Sequence, residues 1–261
     1  MEIFNVSIII VNYNTKKLLY DCLKSIYEYT KGISFEVIVS DNGSIDGSLE
    51  MLKNDFPQVI IIANNGNLGF GKANNIAARQ AKGKYLFFLN SDTILLNNAV
   101  KLFYKKAEEK NGKTLLGSYL LNKEKEITIS YGNFMTFSSF IRRMAFLYFP
   151  ILLKIRHFFL KQQKEIVIER EVDFLSGADL FVSKDIFQKL NGFDEKIFMY
   201  CEDEDFCRRA LQMNFLSVLI TEPQIIHLEG QSSKVSKIKK RIMTISFLYY
   251  ARKLLFHRNQ I

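Results

Sequence analysis

The chain has 261 residues, 48% of them hydrophobic, enough for one large domain or a domain with an appendage. Its formal charge of +9, from 36 basic and 27 acidic residues, points to anionic partners: nucleic acid, acidic lipid or phosphate-bearing substrates. No uninterrupted apolar run is long enough to span a bilayer, and Val6–Val11 is too short for the apolar region of a signal peptide. Cys22, Cys201 and Cys207 follow no metal or disulfide spacing and read as small buried side chains in a reducing compartment.

Val6–Asn12 is β-branched and reads as a buried first strand, with Tyr13–Thr15 as the turn after it. Leu18, Leu19, Cys22, Leu23 and Ile26 recur at helical spacing, so a helix follows, closed by Gly32. Phe35–Ser40 is a second strand that stops at Asp41-Asn-Gly-Ser-Ile-Asp-Gly-Ser48. An acid at the end of the second strand of such a unit is placed to meet the nucleoside part of a nucleotide. The same segment also reads as an ordinary turn, and Ser44 can cap a helix starting near Ile45.

Val59–Ala63 is a third strand, followed by the polar run Asn64–Asn75. Its Gly69-Phe70-Gly71 is not a dinucleotide fingerprint, because the third glycine is absent and the run follows the third strand, not the first. It reads instead as a loop opening a helix, to about Ala81, whose N-terminal amides and Asn74 or Asn75 face a ligand. Tyr85–Leu89 is wholly apolar, as in a central strand covered on both faces, and runs straight into Asn90-Ser91-Asp92-Thr93. Ligands of open α/β sheets bind beyond the carboxyl ends of the strands. Asp92 therefore either holds a hard cation, and through it a diphosphate, or simply caps the next helix. The repeated strand–helix pattern calls for a parallel sheet with right-handed crossovers.

Leu95–Lys110 reads as a helix, and Leu115–Leu121 and Ile127–Tyr131 as less regular strands. Asn133–Lys164 mixes phenylalanines with Arg142, Arg143, Lys154, Arg156, Lys161 and Lys164, contains no acid, and is broken by Pro150. It suits an amphipathic segment lying on an anionic leaflet, or a hairpin packed on the domain or on a second subunit. Val172–Val182 returns to strand character, and Lys184–Asn191 is a short helix closed by Gly192. Four consecutive acids, Glu202–Asp205, precede a helix over Phe206–Met213. The helix dipole favours acids there, yet adjacent like charges repel, which leaves a purely structural role under-motivated. Phe215–Ile220 is the last strand, and His227–Ser233 a loop bearing one of three histidines. Lys234–Ile261 is basic, free of acids, and carries Ile245, Leu248, Tyr249, Leu254 and Leu255 at roughly helical spacing, as in a docked or membrane-surface helix.

The elements Val6–Thr15, Ser40–Ser48, Asn67–Asn75, Leu89–Thr93, Phe174–Ala178, Gly192–Asp205 and His227–Ser233 occur here in an order and spacing that resemble the family 2 glycosyltransferases with the GT-A fold. The resemblance is greatest to the rhamnosyltransferase-like branch that builds bacterial surface polysaccharides. It spans nearly the whole chain and is weakest over Asn133–Lys164 and the tail. It implies an α/β, Rossmann-like, mostly parallel sheet flanked by helices. Residues 1–230 would form the catalytic domain, with a basic insertion at 133–165, and 231–261 a basic helical tail.

The resemblance also implies roles. Asp41 would hydrogen-bond the nucleotide base, with Asn12 and Asn14 lining the same pocket. Asn67, Gly69 and Asn74 would shape the wall around the nucleotide sugar. Asp92 matches the last acid of the metal motif, with Asn90 and Ser91 beside it at the donor, and His227 completes the metal site. That donor set suits Mn²⁺ or Mg²⁺. Asp203 matches the general base, and Glu202, Glu204 and Asp205 would raise its pKa by like-charge repulsion. The motif Asn90-Ser91-Asp92 has one carboxylate where many relatives have two, which implies a weaker metal site filled together with the nucleotide. The processive, membrane-spanning branch is disfavoured, since the chain lacks tryptophan.

The expected activity is inverting transfer of a sugar from a nucleotide-diphosphate donor, dTDP-rhamnose or a UDP-hexose, to a hydroxyl of a glycan or lipid-linked glycan. The expected place is the cytoplasm, peripheral on the inner face of the plasma membrane, with an anionic membrane surface or a homodimer partner on the basic segments. The alternative is a non-catalytic nucleotide-sugar-binding or scaffold subunit. A nucleotidyltransferase would carry a glycine- and lysine-rich phosphate loop after the first strand, which Asn12–Thr15 is not. Nucleic acid is not expected as a partner, because the basic residues form no recognised binding module.

Overall fold

A computed structural model describes residues 4–128, 130–148, 167–228 and 237–257. Four parallel strands open the chain: β1 (Phe4–Asn12), β2 (Phe35–Asp41), β3 (Ile60–Ala63) and β4 (Gly83–Asn90). The crossovers are α1 (Lys16–Tyr29), α2 (Ser48–Asp55) and α3 (Phe70–Gln80). Register sets the site: Asn12 pairs with Asp41 across β1 and β2, and Val11 with Asn90 across β1 and β4. Three strand ends therefore finish level at one edge, the edge at which open α/β sheets bind ligands.

The second half is less regular. β5 (Thr93–Leu95), α4 (Ala99–Glu109) and β6 (Thr114–Leu121) are followed by a short β7 (Tyr131–Gly132) and by α5 (Phe137–Tyr148). Next come β8 (Arg170–Val172), β9 (Phe174–Leu175), β10 (Asp179–Ser183) and α6 (Lys184–Lys189), whose first turn is capped by the Ser183 hydroxyl accepting from the Ile186 amide. The chain continues through α7 (Glu202–Gln212), β11 (Leu216–His227) and α8 (Lys237–His257). Among the described residues the main sheet runs β3-β2-β1-β4-β10-β6-β11-β5, with β8 also on β11, while β7 and β9 pair separately. β10 lies antiparallel between β4 and β6, so the sheet is mixed where the opening repeat alone suggests a parallel one.

Both faces of the sheet are covered, which is why β4 is apolar at every central position. Side chains alternate between faces along a strand. Ile8, Ile10, Phe87 and Phe181 pack with Leu19, Leu23 and Phe103 on one side. Ile9, Phe88, Leu180 and Val182 pack with Phe187, Phe193 and Phe206 on the other. Phe103 and Phe181 stack at 5.4 Å, and a fully buried phenylalanine contributes roughly 1.5–3 kcal/mol. A third cluster joins Met135, Ile197, Cys201, Phe247 and Tyr250, and so fastens α8 to the segment before α7.

Several element boundaries differ from the sequence reading. Leu95 ends a strand and is not the start of a helix: the β5 backbone pairs with Ile225–His227 before the chain turns into α4. α2 begins at Ser48 and not near Ile45, and the Ser44 hydroxyl instead accepts from Asn12 Nδ2 and the Asn14 amide. Ile127 makes only an isolated bridge to Leu121. α7 starts at Glu202, so the acidic run forms its first turn. β11 extends to His227, which is the end of a strand and not a loop residue. Of the basic segment at 133–164, residues 149–164 lie outside the described residues, as do 231–236 and 258–261 of the tail.

Candidate active site

The loop after β2 is built around Asp41. Its Oδ1 accepts from the amides of Gly43 (3.1 Å) and Ser44 (2.8 Å), and its Oδ2 from Asn12 Nδ2 at 2.7 Å. The carboxylate is fully buried, so in this structure it shapes the loop. Asn12 Oδ1 accepts from Thr15 Oγ1 (2.6 Å), and Thr15 Oγ1 reaches Ser91 Oγ at 2.9 Å. Asn14, at φ 54°, accepts from the Ile45 amide. An opening of about 480 Å³ lined by Tyr13, Asn14, Thr15, Lys16 and Asp46 lies beside this loop.

A second group holds the loop before α3. Asn42 Nδ2 donates to the Gly69 carbonyl (3.1 Å) and to Asn67 Oδ1 (3.3 Å), and the Gly69 amide donates to Asn67 Oδ1 at 3.0 Å. Asn64 Nδ2 donates to Asn42 Oδ1 and Ser40 Oγ. Gly69 has φ +84°, and a Cβ there would sit 2.2 Å from the Phe198 carbonyl oxygen, so only glycine fits. That carbonyl accepts from the Phe70 amide at 2.8 Å. Asn74 is buried and donates back to the Phe70 carbonyl, while Asn75 bonds both backbone groups of Phe193.

The third group lies at the ends of β4 and β11. His227 Nε2 is 3.2 Å from Asp92 Oδ1 and 3.2 Å from Asn90 Nδ2. The Leu228 amide donates to the Asp92 carbonyl at 2.9 Å, locking the two strand ends together. With Asn90 as donor the Nε2 lone pair accepts that hydrogen bond, so a cation bound between Nε2 and the Asp92 oxygen would take the place of the Asn90 hydrogen; both side chains are only partly exposed. This oxygen–imidazole pair fits a hard divalent cation. Among the described residues no third His, Cys, Asp or Glu joins it, so the remaining positions would fall to diphosphate oxygens and water.

Asp203 is half-buried in the first turn of α7. Its Oδ2 accepts from the Gly177 amide (3.2 Å) and its Oδ1 from the Glu204 amide (2.8 Å). The neighbouring Ala178 carbonyl accepts from the Asn90 amide at 3.0 Å, which carries β10 from Asp203 to the Asn90–Asp92 turn. Gly177 also stands against the Phe70 ring, where an added Cβ would lie 3.0 Å from Cε1. The structure thus links the sequence-identified residues through short contacts, with Gly177 and Phe70 between Asp203 and the donor loops.

The Asp203 shift has burial as its first cause, ahead of the like-charge neighbours the sequence points to. Burial pushes its carboxyl pKa up, opposed by the amides of Glu204 and Gly177 and by Arg143, and the repulsion between Asp203 and Glu202 acts on the pair. Two of those neighbours are neutralised by cations. Glu204 is held by Arg143 at 2.7 Å, and Asp205 by Arg209 at 2.8 Å and Lys253 at 2.6 Å. Glu202 is different: burial and then the Asp203 charge push its pKa well up, and its Oε2 is buried without a hydrogen bond. The sequence assigns no role to Arg143, Thr15 or Asn42: Thr15 and Asn42 lie within the family-like elements Val6–Thr15 and Ser40–Ser48, and Arg143 within the basic segment. A cleft of about 610 Å³ is lined by Asn75, Lys184, Gly192 and Lys253, and of the residues the sequence places toward a ligand it includes Asn75 alone.

The architecture is that of GT-A enzymes. GalNAc-T7, solved with UDP, GalNAc and Mn²⁺, superposes with a TM-score of 0.63 at 15% identity, over 88% of this chain and 45% of that one. At that identity the likeness shows the fold alone. Residues 7–170 match the model of glycosyl transferase family 2, and the chain belongs to that family. Rhamnosyltransferase WbbL of Escherichia coli K12 is 29% identical over 205 residues, 74% of this chain and 75% of WbbL. An N-acetylglucosaminyl-diphospho-decaprenol L-rhamnosyltransferase of Mycobacterium tuberculosis is 25% identical over 210 residues, 76% of this chain and 67% of that protein. The uncharacterized glycosyltransferase YfnE of Bacillus subtilis is 37% identical over 117 residues, and there the chain spans only 29% of the relative's length.

Proposed function

We propose that the chain transfers a sugar, with inversion, from a nucleotide-diphosphate donor to a hydroxyl of a lipid-linked glycan at the inner face of the plasma membrane. The observation that carries this reading is Asp203: a carboxylate with a raised pKa, held by the Gly177 amide one residue from the strand pairing that leads to Asn90 and Asp92. A base with a pKa nearer the working pH accepts a proton more effectively than an ordinary aspartate. Asp203 takes the proton of the acceptor hydroxyl as that oxygen attacks the anomeric carbon, and the bond to the diphosphate breaks on the opposite side.

The loops around Asn12, Asn14, Asp41, Asn67 and Gly69 hold the nucleoside, and Asn90 and Ser91 lie at the diphosphate. Asp92 and His227 would hold Mn²⁺ or Mg²⁺, which supplies charge stabilisation to the departing diphosphate when bound. The names of two relatives support dTDP-rhamnose as the first donor to try, with UDP-hexoses next; the mycobacterial relative's name supports a lipid-linked acceptor.

A thermal-shift screen against dTDP-, UDP- and GDP-sugars, each with Mn²⁺, Mg²⁺ or EDTA, tests the donor assignment. One nucleotide should stabilise the protein in a metal-dependent way. Asp203→Asn should then lower turnover by about 10²–10⁴ while leaving that shift intact. Near-normal turnover by the variant would remove Asp203 from the base role, and a folded sample that answers to no nucleotide would favour the scaffold alternative.

A further inference from the structure

α5 and α8 pack side by side, with Tyr148 Oη 2.9 Å from Thr244 Oγ1 and the Arg143 guanidinium over the Phe247 ring. The inner side of α8 is tied to the catalytic segment. Ser246 Oγ donates to the Met199 carbonyl (2.7 Å), Arg208 Nε donates to Tyr250 Oη (2.9 Å), and Lys253 pairs with Asp205 at 2.6 Å.

The outer side of α8 is apolar and basic as well. Ile238, Ile245, Leu248 and Leu255 are 72, 57, 51 and 60% exposed. At 3.6 residues per turn these four fall within a stripe of about 100°, and the exposed Arg241 and Arg252 fall inside the same stripe. On α5, Phe137, Ile141 and Tyr148 share one exposed face, and the exposed Arg142 lies about 100° round the helix from it. Neither helix contains an acid.

We propose that the outer face of α5 and α8 lies on an anionic lipid bilayer. The apolar stripe enters the boundary between headgroups and acyl chains, and Arg241, Arg252 and Arg142 meet the phosphates. Among the described residues no helix is long and apolar enough to cross a membrane, which agrees with a helix lying in the plane. Charge decides between a bilayer and a second copy of the chain. A twofold pairing of this face would set the arginines of one copy against those of the other with no acid on either helix, whereas an anionic surface meets them with opposite charge. The face would also hold α7, and with it Asp203, at a set height over the leaflet in which a lipid-linked acceptor sits. That consequence rests on the transferase reading; the membrane contact does not.

The test uses the full chain and sedimentation with vesicles of phosphatidylcholine alone or with equal parts of phosphatidylglycerol. Binding should favour the anionic vesicles by at least about tenfold and weaken with salt. The double variant Ile245→Glu, Leu248→Glu should lose at least about tenfold in partitioning while keeping its nucleotide thermal shift, since both positions are exposed. Equal binding to neutral vesicles, or undiminished binding by a folded double variant, would overturn the proposal. So would light scattering that shows a wild-type dimer and a monomeric variant, because the face would then be a copy interface. Vesicle binding retained by a protein that transfers no sugar would instead count against the proposed activity and leave the membrane face standing.

Discussion

Replacing Arg143 by methionine isolates the ion pair that ties α5 to the catalytic helix. Glu204 is 1% exposed, and its carboxylate accepts from the Met135 amide and from Arg143 at 2.7 Å, with Arg208 more distant at 3.8 Å. Removing one partner of a buried pair costs about 3–5 kcal/mol. Arg143 is 28% exposed, and Arg208 and the Met135 amide remain, so the loss should be nearer about 2–3 kcal/mol at alkaline pH.

The pH dependence follows from the direction of the shift. Burial outweighs Arg143 and raises the Glu204 pKa above its ordinary value of 4.5. A carboxyl raised in the folded state stabilises the fold fully below its unfolded pKa, and that contribution is lost as pH rises through the folded pKa. Without Arg143 the folded pKa climbs further, so the extra destabilisation should be largest at high pH and shrink as the acid protonates. Urea unfolding followed by circular dichroism at about pH 5 and about pH 8.5 measures this. An equal loss at both pH values, or a loss under about 1 kcal/mol at the higher one, would refute the reasoning. Arg143 also lowers the pKa of Asp203, so the same variant should move the acid limb of kcat/KM to higher pH.

Three further outcomes are expected. Asp92→Ala or His227→Ala should weaken metal-dependent nucleotide binding by at least about tenfold, read as loss of the difference between Mn²⁺ and EDTA in a titration; identical titrations would remove both from the metal role. Gly69→Ala must displace the Phe198 carbonyl and break its bond from the Phe70 amide, costing about 2–3 kcal/mol and weakening donor binding, and a variant with wild-type melting would contradict the close approach. Asp179 is fully buried, with its pKa pushed up to about 7 by burial and its Oδ1 without a hydrogen bond. Wild-type stability should fall as pH rises through that value, and Asp179→Asn should flatten the fall and gain about 2–4 kcal/mol at alkaline pH; a parallel pH profile would reject it.

What was legible in the sequence is local. The 3.6 spacing of Leu19, Cys22, Leu23 and Ile26 marks α1, and the apolar run Tyr85–Leu89 marks a strand covered on both faces. Because parallel strands of such a unit end at one edge, the position of Asp41 and Asp92 at a ligand-binding edge also followed from the order of elements. Periodicity carries no information about which distant segment arrives opposite a given residue, and only the tertiary structure decided that. The pairing of β11 with β5 brings His227 to Asp92, and the antiparallel insertion of β10 beside β4 sets Ala178 against Asn90, with the preceding Gly177 amide on Asp203. The acidic run shows the difference most directly. In the sequence Glu202–Asp205 are four like neighbours; in the fold Arg143 arrives at Glu204, and Arg209 and Lys253 at Asp205. Of the four like neighbours only Glu202 is left to repel Asp203, and burial is the first cause that raises the Asp203 pKa.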